Sequence, residues 1–220
     1  MYSNRMLYIM KDTMRMVMAH HHAYPTAQEN MRWDADYWHT MPPHHRMERC
    51  YIWPIPSLTY SYKQACPVEW QGVDHAARVT GGGIVFHSPK DIVLSIAGGV
   101  DDPDYPTKSK EKLAMVSNYI TMALQDVGVC LDASPSSSVH NPEFCATYNT
   151  PFEQSVDGKK IVGLTIRTSR HTWLIQGIIH TAATHPMLPV NLTDRHSGMG
   201  DPQHIMVALG QTLFKNIPKK

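Results

Sequence analysis

Apolar residues recur at helical spacing between residues 109 and 125, which is the clearest periodic pattern in the chain. One face of this segment carries Leu113, Val116, Ile120, Ala123 and Leu124. The pattern predicts a helix over Ser109–Gln125, and Gly128 lies where the turn after that helix is expected.

Two further helices are predicted from terminal signals and apolar content. Thr26 is a candidate N-cap, and Glu29 lies three residues later, as the second member of a capping box requires. This helix is expected to run through Tyr37 and to end before Pro42, because proline cannot continue a helix. The last predicted helix covers Pro202–Phe214.

Short runs rich in β-branched and aromatic residues, bounded by proline and glycine, predict the strands. They cover Arg5–Met10, Tyr51–Trp53, Ser57–Tyr62, Ala76–Thr80, Ile84–His87, Ile92–Ala97, Glu153–Val156, Ile161–Arg167 and Thr172–His180. The pair Asp157-Gly158 is a strong signal for a hairpin turn. Runs of strands with few helices predict an α+β fold, in a single domain over residues 1–220, rather than a strict βαβ alternation.

Composition excludes several classes of protein. Lys and Arg total 20 against 19 Asp and Glu, so the net charge of +1 gives no electrostatic footprint for nucleic acid or an anionic membrane. No apolar run reaches the ~18–20 residues of a membrane span, and the N-terminus lacks a signal-peptide pattern. The cysteines are Cys50, Cys66, Cys130 and Cys145. Their wide spacing favours reduced thiols in a cytoplasm over a disulfide scaffold.

Three consecutive glycines, Gly81, Gly82 and Gly83, separate two of the predicted strands. Without Cβ atoms their backbone can approach a ligand closely, and exposed N–H groups in such a loop can hold a carboxylate or a phosphate. Arg78 and His87 flank the glycines and favour this ligand-binding interpretation. The alternative is a flexible hairpin turn between the two strands.

Two other residues are candidates for chemistry. Lys160 opens an apolar strand and can reach into a cleft to hold a carbonyl or phosphate oxygen; the alternative is a solvated hairpin lysine. Gly163, inside the same strand, indicates close approach of a ligand or of another backbone. Cys145 lies in a polar loop, where a thiol near a cation can become an activated thiolate; the alternative is a small buried side chain.

The histidine clusters do not predict a metal site. His20–His22 and His44-His45 are adjacent in sequence, whereas a helical zinc site uses histidines four residues apart. We therefore expect solvated loop histidines and no metal. The sequon that begins at Asn191 matters only in a secreted protein, which this sequence does not resemble.

Two motifs occur in order and at a characteristic spacing. The first runs Arg78-Val79-Thr80-Gly81-Gly82-Gly83-Ile84-Val85-Phe86-His87, and the second runs Gly158-Lys159-Lys160-Ile161-Val162-Gly163-Leu164-Thr165-Ile166-Arg167. Both resemble the biotin/lipoate protein ligase superfamily, in its lipoate-protein ligase and octanoyltransferase branch. Weaker similarity covers Gln28–Asp34, Ile55–Gln64 and Leu174–Ile179, so the resemblance spans residues 26–185.

Some positions depart from the family pattern. Ala77 stands where a second Arg is usual, Ser88 where Asp usually follows the His, and Ser61 where Gly is usual. These departures affect substrate placement rather than the fold. The chain is also expected to lack the accessory C-terminal domain of the larger ligases.

The resemblance implies a fold and a set of site residues. The fold is the class II synthetase-like catalytic domain, a mixed sheet flanked by helices. The catalytic residues are Lys160, with its ammonium in the main apolar cleft, and Cys145. The substrate- or adenylate-binding residues are Arg78, Gly81, Gly82, Gly83, His87, Gly163, Thr165 and Gly177. As a hairpin lysine, Lys160 is expected to contribute little to stability.

The resemblance also implies an enzyme that joins lipoic or octanoic acid to a lysine of a lipoyl carrier. The carriers are lipoyl domains of 2-oxoacid dehydrogenases or the glycine cleavage H protein; no nucleic acid or membrane partner is expected. A ligase uses ATP and Mg²⁺ and forms an acyl-adenylate. An octanoyltransferase takes the acyl group from a thioester, for example on acyl carrier protein, often through its own cysteine and without a cofactor.

The residues divide between these two activities. The intact triple glycine with His87 favours the ligase, whereas Cys145 favours the transferase, because it lies eight residues before Glu153 and fifteen before Lys160. On balance we expect the ATP-dependent ligase. A non-catalytic subunit that binds a lipoyl domain is the remaining alternative, and the missing Arg and Asp beside the glycines motivate it.

Overall fold

The computed structural model describes residues 6–10, 15–19, 23–42, 45–133, 144–145, 150–181 and 201–215. The helices are α1 (Ala27–Thr40), α2 (Ser109–Asp126) and α3 (Pro202–Lys215). The strands are β1 (Met6–Met10), β2 (Arg15–Ala19), β3 (Arg46–Ile52), β4 (Ser57–Ser61), β5 (His75–Arg78), β6 (Val85–His87), β7 (Ile92–Gly99), β8 (Ser155–Val156), β9 (Lys159–Lys160), β10 (Val162–Thr168) and β11 (Thr172–Ile179).

The strands form a large sheet, a small sheet and a hairpin. The large sheet has the order β1-β2-β3-β7-β11-β10, in which only the β2–β3 pair is parallel. In the small sheet β4 lies in the centre, parallel to β5 and antiparallel to β6. β8 and β9 pair as an antiparallel hairpin. The mixed sheets, with the three α-helices of the described residues, confirm the α+β prediction.

The large sheet is covered on both faces, which explains why every residue of β7 is buried. Alternate residues of a strand point to opposite faces. On one face, Ile92, Leu94 and Ile96 join the core that includes apolar residues of α2 and α3. On the other face, Val93 packs in a cluster with Met31 of α1.

Local signals predicted the helices well. Glu29 N donates to Thr26 Oγ1 at 3.2 Å and Thr26 N donates to Glu29 Oε2 at 3.2 Å, which completes the predicted capping box of α1. The hairpin turn at Asp157-Gly158 is also confirmed, since both residues have positive φ, 52° and 73°. Gly128 has a φ of 84° just after α2, as its predicted place in a C-terminal turn requires.

The hairpin interpretation of the triple glycine is wrong. β5 and β6 do not pair with each other, because β4 lies between them and bonds to both. The glycine segment therefore crosses over the end of β4 instead of closing a two-stranded turn. This crossover keeps the backbone of the loop out of the sheet's hydrogen-bond ladder.

β3 begins earlier than the predicted Tyr51–Trp53 strand. The prediction missed its first residues because they include charged side chains, which the structure buries in ion pairs. The guanidinium of Arg46 pairs with Asp102 at 2.5 Å, and that of Arg49 pairs with Asp34 at 3.0 Å. Buried charges persist in a core only when they are paired in this way. The sequence pattern alone gave no sign of these partners.

Some sequence predictions lie outside the described residues: those on His20–His22, His44 and the sequon at Asn191, and most of the Cys145 loop. Among the helices that are described, none is long and apolar enough to cross a membrane.

Candidate active site

A cavity of about 190 Å³ lies between the small sheet and the large one. The glycine segment and β6 form one wall, and β10 and β11 form the opposite wall. Its lining includes the predicted site residues Arg78, Gly81, Gly82, His87, Cys145, Gly163, Thr165 and Gly177. Apolar side chains, among them Met31, Val85, Val93 and Ile178, supply much of the remaining surface. The cavity is therefore suited to an apolar chain with one polar end.

Arg78 fixes the glycine loop from behind. Its guanidinium donates to the carbonyl oxygens of Gly81 at 3.2 Å and Gly83 at 2.8 Å, and to Thr59 Oγ1 at 2.7 Å. Gly82 has a φ of 92°, a conformation that residues with a Cβ adopt rarely. Because the carbonyls turn towards Arg78, this residue shapes the loop in addition to lining the cavity.

His87 is held in one orientation on the same wall. Its Nε2 lies 2.7 Å from Thr59 Oγ1, so one hydroxyl contacts both predicted polar residues of the small sheet. The imidazole stacks on Trp53 with 4.0 Å between ring centroids. The ring is buried and reaches the cavity beside the glycine loop.

Cys145 and Lys160 come together at the cavity, as the alternative with a cysteine nucleophile requires. The Lys160 Nζ lies 3.3 Å from Cys145 Sγ and donates to the Cys145 carbonyl oxygen at 2.9 Å. Cys145 N donates in turn to Ile84 O at 2.9 Å, which ties the cysteine to the segment after the glycines. The sulfur thus lies beside a cation. The expectation that the Lys160 ammonium lies in the cleft itself is wrong, because its pairing with buried Glu153 holds it behind the cavity wall.

Glu153 also lies at this point, although the sequence analysis used it only as a reference for spacing and assigned it no role. Its Oε1 lies 2.7 Å from Lys160 Nζ, and the two side chains are only 2% and 3% exposed. Burial disfavours the ammonium, but Cys145 and Glu153 oppose burial and raise the pKa of Lys160 above its ordinary value of 10.5. Lys160 is therefore held as an ammonium ion.

The prediction of a solvated hairpin lysine with little effect on stability is wrong. Removal of the Lys160 amine would leave the Glu153 carboxylate buried without its ion pair. Breaking a buried pair in this way costs about 3–5 kcal/mol. A variant at Lys160 must therefore be checked for folding before its activity is interpreted.

The two glycines of the opposite wall allow close packing. A Cβ at Gly163 would lie 3.3 Å from Cys145 Sγ and 3.6 Å from Lys160 Cε. A Cβ at Gly177 would lie 2.6 Å from Leu164 Cδ2, its cross-strand neighbour. The lack of a side chain at Gly163 therefore provides the space in which the Cys145 thiol and the Lys160 side chain meet.

A buried polar relay that joins the two walls also escaped the sequence analysis. Thr80 Oγ1, just before the glycines, donates to Gln176 Oε1 at 2.6 Å. Gln176 Nε2 donates to Asp34 Oδ2 at 2.8 Å, and Asp34 pairs with Arg49. The available signal was a lone amide, Gln176, inside the otherwise apolar run of β11.

A second cavity, of about 410 Å³, shares Gly81 and Gly82 with the first. Its other lining residues are Ser61, Tyr62, Lys63, Gln64, Ile166 and Arg167. The Arg167 guanidinium donates to Val79 O at 2.6 Å and lies over the Tyr62 ring at 4.1 Å. This cavity thus places two cationic side chains at the outer side of the glycine loop.

The arrangement is suited to acyl transfer. A thiol beside an ammonium can act as a nucleophile, and the same ammonium can donate to an oxygen that gains negative charge. Among the residues that the structure describes, no group of three or more His, Cys, Asp or Glu is arranged to hold a metal ion. Gly83, unlike Gly81 and Gly82, does not line the cavity, and it contributes through its carbonyl, which accepts from Arg78.

Comparisons with known proteins identify the family of the chain. Residues 60–185 match the family model described as the lipoyl protein ligase A/B catalytic domain. No curated protein sequence matched the chain.

Solved structures share the fold. Lipoate-protein ligase A bound with ATP has a TM-score of 0.66 and 18% identity, over 84% of this chain and 79% of that one. A protein from T. acidophilum with bound lipoic acid has a TM-score of 0.68 and 16% identity, over 90% and 82%. A bi-partite lipoate protein ligase with its E2 lipoyl domain, from Thermoplasma acidophilum, has a TM-score of 0.59 and 16% identity, over 83% and 77%. The predicted fold of a biotin/lipoate ligase catalytic domain is thereby confirmed.

Proposed function

The chain belongs to the family of lipoyl protein ligase A/B catalytic domains, and from this premise we propose that it attaches octanoyl or lipoyl groups to a lysine of a lipoyl domain through a thioester on Cys145. The observation that carries the proposal is the 3.3 Å approach of Cys145 Sγ to Lys160 Nζ at the wall of an apolar cavity. A ligase requires no thiol at this place. The sequence alone favours the ligase, whereas this contact favours the transferase.

The first half-reaction moves the acyl group from a thioester donor to the enzyme. The Cys145 sulfur attacks the carbonyl carbon, the new C–S bond forms and the donor C–S bond breaks. The Cys145 thiol releases its proton to solvent before the attack, and the departing donor sulfur takes up one proton from solvent, so the protons balance. The Lys160 ammonium stabilises the thiolate before attack and donates to the carbonyl oxygen as negative charge develops there.

The second half-reaction moves the acyl group to the carrier. The neutral amine of the carrier lysine attacks the carbonyl carbon of the Cys145 thioester, so a C–N bond forms and the C–S bond breaks. The proton that the attacking nitrogen loses returns to the Cys145 sulfur. The ammonium of Lys160 serves both halves, because each passes through an anionic carbonyl oxygen and ends with a departing sulfur.

The chemistry of the cavity indicates the substrates. Its apolar walls suit a medium-length acyl chain, and the polar groups of the reacting end and of the glycine loop suit the thioester head of that chain. A lipoyl domain is the proposed acceptor, and a thioester on acyl carrier protein or on another lipoyl carrier is the proposed donor. The T. acidophilum ligase solved with its E2 lipoyl domain supports this choice of acceptor.

A second candidate is the ATP-dependent lipoate-protein ligase, which a specific observation favours. The second cavity opens on the same glycine loop and carries Lys63 and Arg167, a suitable environment for the phosphate of an acyl-adenylate. In that reaction ATP is consumed with Mg²⁺ as its cofactor, Lys160 holds the acyl carbonyl oxygen and Cys145 has no required role. A non-catalytic lipoyl-domain-binding subunit is the remaining alternative.

One set of incubations separates the three. The wild type, Cys145→Ser and Cys130→Ser are each mixed with an apo lipoyl domain and either octanoyl-acyl carrier protein or lipoate with ATP and Mg²⁺. Cys130 is an exposed thiol and serves as the matched control. Mass spectrometry is expected to find an acyl-enzyme and an acylated lipoyl domain with the thioester donor, in the wild type and Cys130→Ser but not in Cys145→Ser.

Other outcomes identify the alternatives. A mass gain of the lipoyl domain that needs ATP and survives Cys145→Ser establishes the ligase and contradicts the cysteine mechanism. No gain with any donor, together with binding of the lipoyl domain, establishes the non-catalytic subunit.

A further inference from the structure

A buried carboxylate, that of Glu153, lines the cavity beside the reacting pair and contacts Lys160. We propose that Glu153 is a positioning residue for acyl transfer: it keeps the Lys160 side chain charged and aimed at Cys145, so that Lys160 acts as a cation and not as a base. This inference rests on the proposed cysteine-dependent transfer and names the group that sets the state of its lysine.

The backbone fixes Glu153 before Lys160 is considered. Thr150 N donates to Glu153 Oε2 at 2.6 Å, and Leu164 N donates to Oε1 at 3.4 Å. These donors come from the two segments that flank the β8–β9 hairpin. The flexible ammonium of Lys160 then binds to a carboxylate that is already in place, at 2.7 Å.

The charges around the ammonium explain why the carboxylate matters. Glu153 and Cys145 contact Lys160 Nζ directly, and Arg78 and His87 are the other ionisable residues on the same cavity. Burial alone favours a neutral lysine, by up to several pH units for a fully buried amine. Of Glu153 and Cys145, the carboxylate carries a full negative charge at once, whereas the thiol carries one only after it ionises.

The charge state of Lys160 decides which chemistry is possible. A neutral amine stabilises the anionic carbonyl oxygen poorly, and it becomes a cation only after it has taken the thiol proton. An ammonium stabilises both the thiolate and the anionic carbonyl oxygen and remains unchanged through each half-reaction. Glu153 therefore keeps Lys160 in the ammonium form. A merely structural ion pair would leave the pH dependence of the reaction unchanged.

The test uses Glu153→Gln, which keeps the shape and removes the charge, and Glu153→Asp, which keeps the charge. Asp132→Asn is the matched control, because Asp132 accepts from Asp157 N and Gly158 N and so supports the turn of the same hairpin through its backbone. Two quantities are measured across pH 6–11. One is the titration of Lys160 by ¹³C NMR, assigned through Lys160→Arg; the other is the rate of acyl-enzyme formation with an octanoyl thioester.

We expect Lys160 of the wild type to titrate above the ordinary lysine value of 10.5. In Glu153→Gln it should titrate at least about one pH unit lower than in the wild type. The acylation rate of this variant should fall at least about tenfold relative to wild type by pH 9–10, with its alkaline limb displaced to lower pH. Glu153→Asp should restore the high titration, and Asp132→Asn should change neither quantity.

Several results would overturn the inference. Lys160 of the wild type titrating with the exposed lysines or below them would do so even if Glu153→Gln fails to fold. If Lys160 titrates at the same pH in folded Glu153→Gln as in the wild type, Glu153 has only a structural role. The same conclusion follows if the acylation rate of this variant is reduced equally at every pH. Absence of any acyl-enzyme in the wild type would contradict the proposed function instead, and the NMR titration would still decide the state of Lys160.

Discussion

Gly163→Ala is the substitution that tests most directly whether the position of the Cys145 sulfur controls the reaction. The added Cβ would stand 3.3 Å from Cys145 Sγ, 3.4 Å from Ile178 Cγ2 and 3.6 Å from Lys160 Cε. The first contact is the tightest, and Ile178 lies in the buried sheet and cannot retreat. The sulfur is therefore the group expected to move.

The size of the effect follows from the contact distance. Ordinary non-bonded contacts are about 3.5–4.0 Å, so the 3.3 Å approach falls about 0.2–0.7 Å short. A misplacement of ~1 Å at a reacting atom costs about 100-fold in rate. Scaled logarithmically, the shift predicts a loss of about 2.5- to 25-fold in acylation, or about 0.5–2 kcal/mol of barrier.

The assay is the rate of acyl-enzyme formation at saturating octanoyl thioester, read by mass spectrometry in rapid-quench samples. Gly72→Ala is the control, because a Cβ at Gly72 would meet nothing within 4 Å. Unfolding temperatures of both variants should stay near wild type, since alanine also reduces the entropy of the unfolded chain. If Gly163→Ala acylates as fast as wild type while folded, the thiol is not held by this wall and the geometric reasoning is refuted.

Three further predictions follow from the polar contacts. Gln176→Leu removes the amide that bonds Asp34 and the hydroxyl before the glycine loop, so the free energy of unfolding in urea should fall by about 2–5 kcal/mol; a loss under 1 kcal/mol would contradict this. Arg78→Lys cannot hold both glycine-loop carbonyls, so KM for the acyl donor should rise about tenfold in steady-state assays, and an unchanged KM would show that the loop keeps its shape unaided. Because the folded-state pKa of Lys160 is raised above 10.5, its stabilising contribution is complete below that pH and is lost as pH rises through the folded value. The stability difference between wild type and a Lys160→Met/Glu153→Gln double variant should therefore be constant from pH 6 to 9 and diminish above 10.5; a change between pH 6 and 9 would be evidence against it.

The features that the sequence predicted correctly depend on neighbours along the chain. The capping box of Thr26 and Glu29, the apolar stripe of α2 and the Asp157-Gly158 turn each involve residues within a few positions of one another. Such signals act through local hydrogen bonds and backbone dihedrals, so they can be interpreted without knowledge of the fold. The site motifs were found in the same way, because their spacing reflects a loop and a hairpin.

The features that escaped prediction depend on residues far apart in sequence. Arg46 pairs with Asp102 across 56 positions, and Thr80 bonds Gln176 across 96. A charged residue in a strand indicates exposure until its partner is known, which is why most of β3 was missed. β2, whose sequence is Arg-Met-Val-Met-Ala, shows no alternation of polar and apolar residues that would predict a strand. The role of Glu153 was hidden for a related reason, since its contact with Lys160 depends on how the hairpin folds back.

The site exists only because the two sheets are docked against each other. The backbone N–H of Cys145 donates to Ile84 O, which attaches the cysteine to the small-sheet side of the cavity. Gly163 and the Lys160 side chain approach its sulfur from the large-sheet side. Apolar packing between the sheets would tolerate small slips, because it has no preferred register. The bond from Thr80 to Gln176 does not tolerate them, since a buried hydrogen bond weakens steeply as its distance and angle change. The polar relay thus sets the register between the two walls, and with it the distance between the glycine loop, the thiol and the lysine on which the proposed transfer depends.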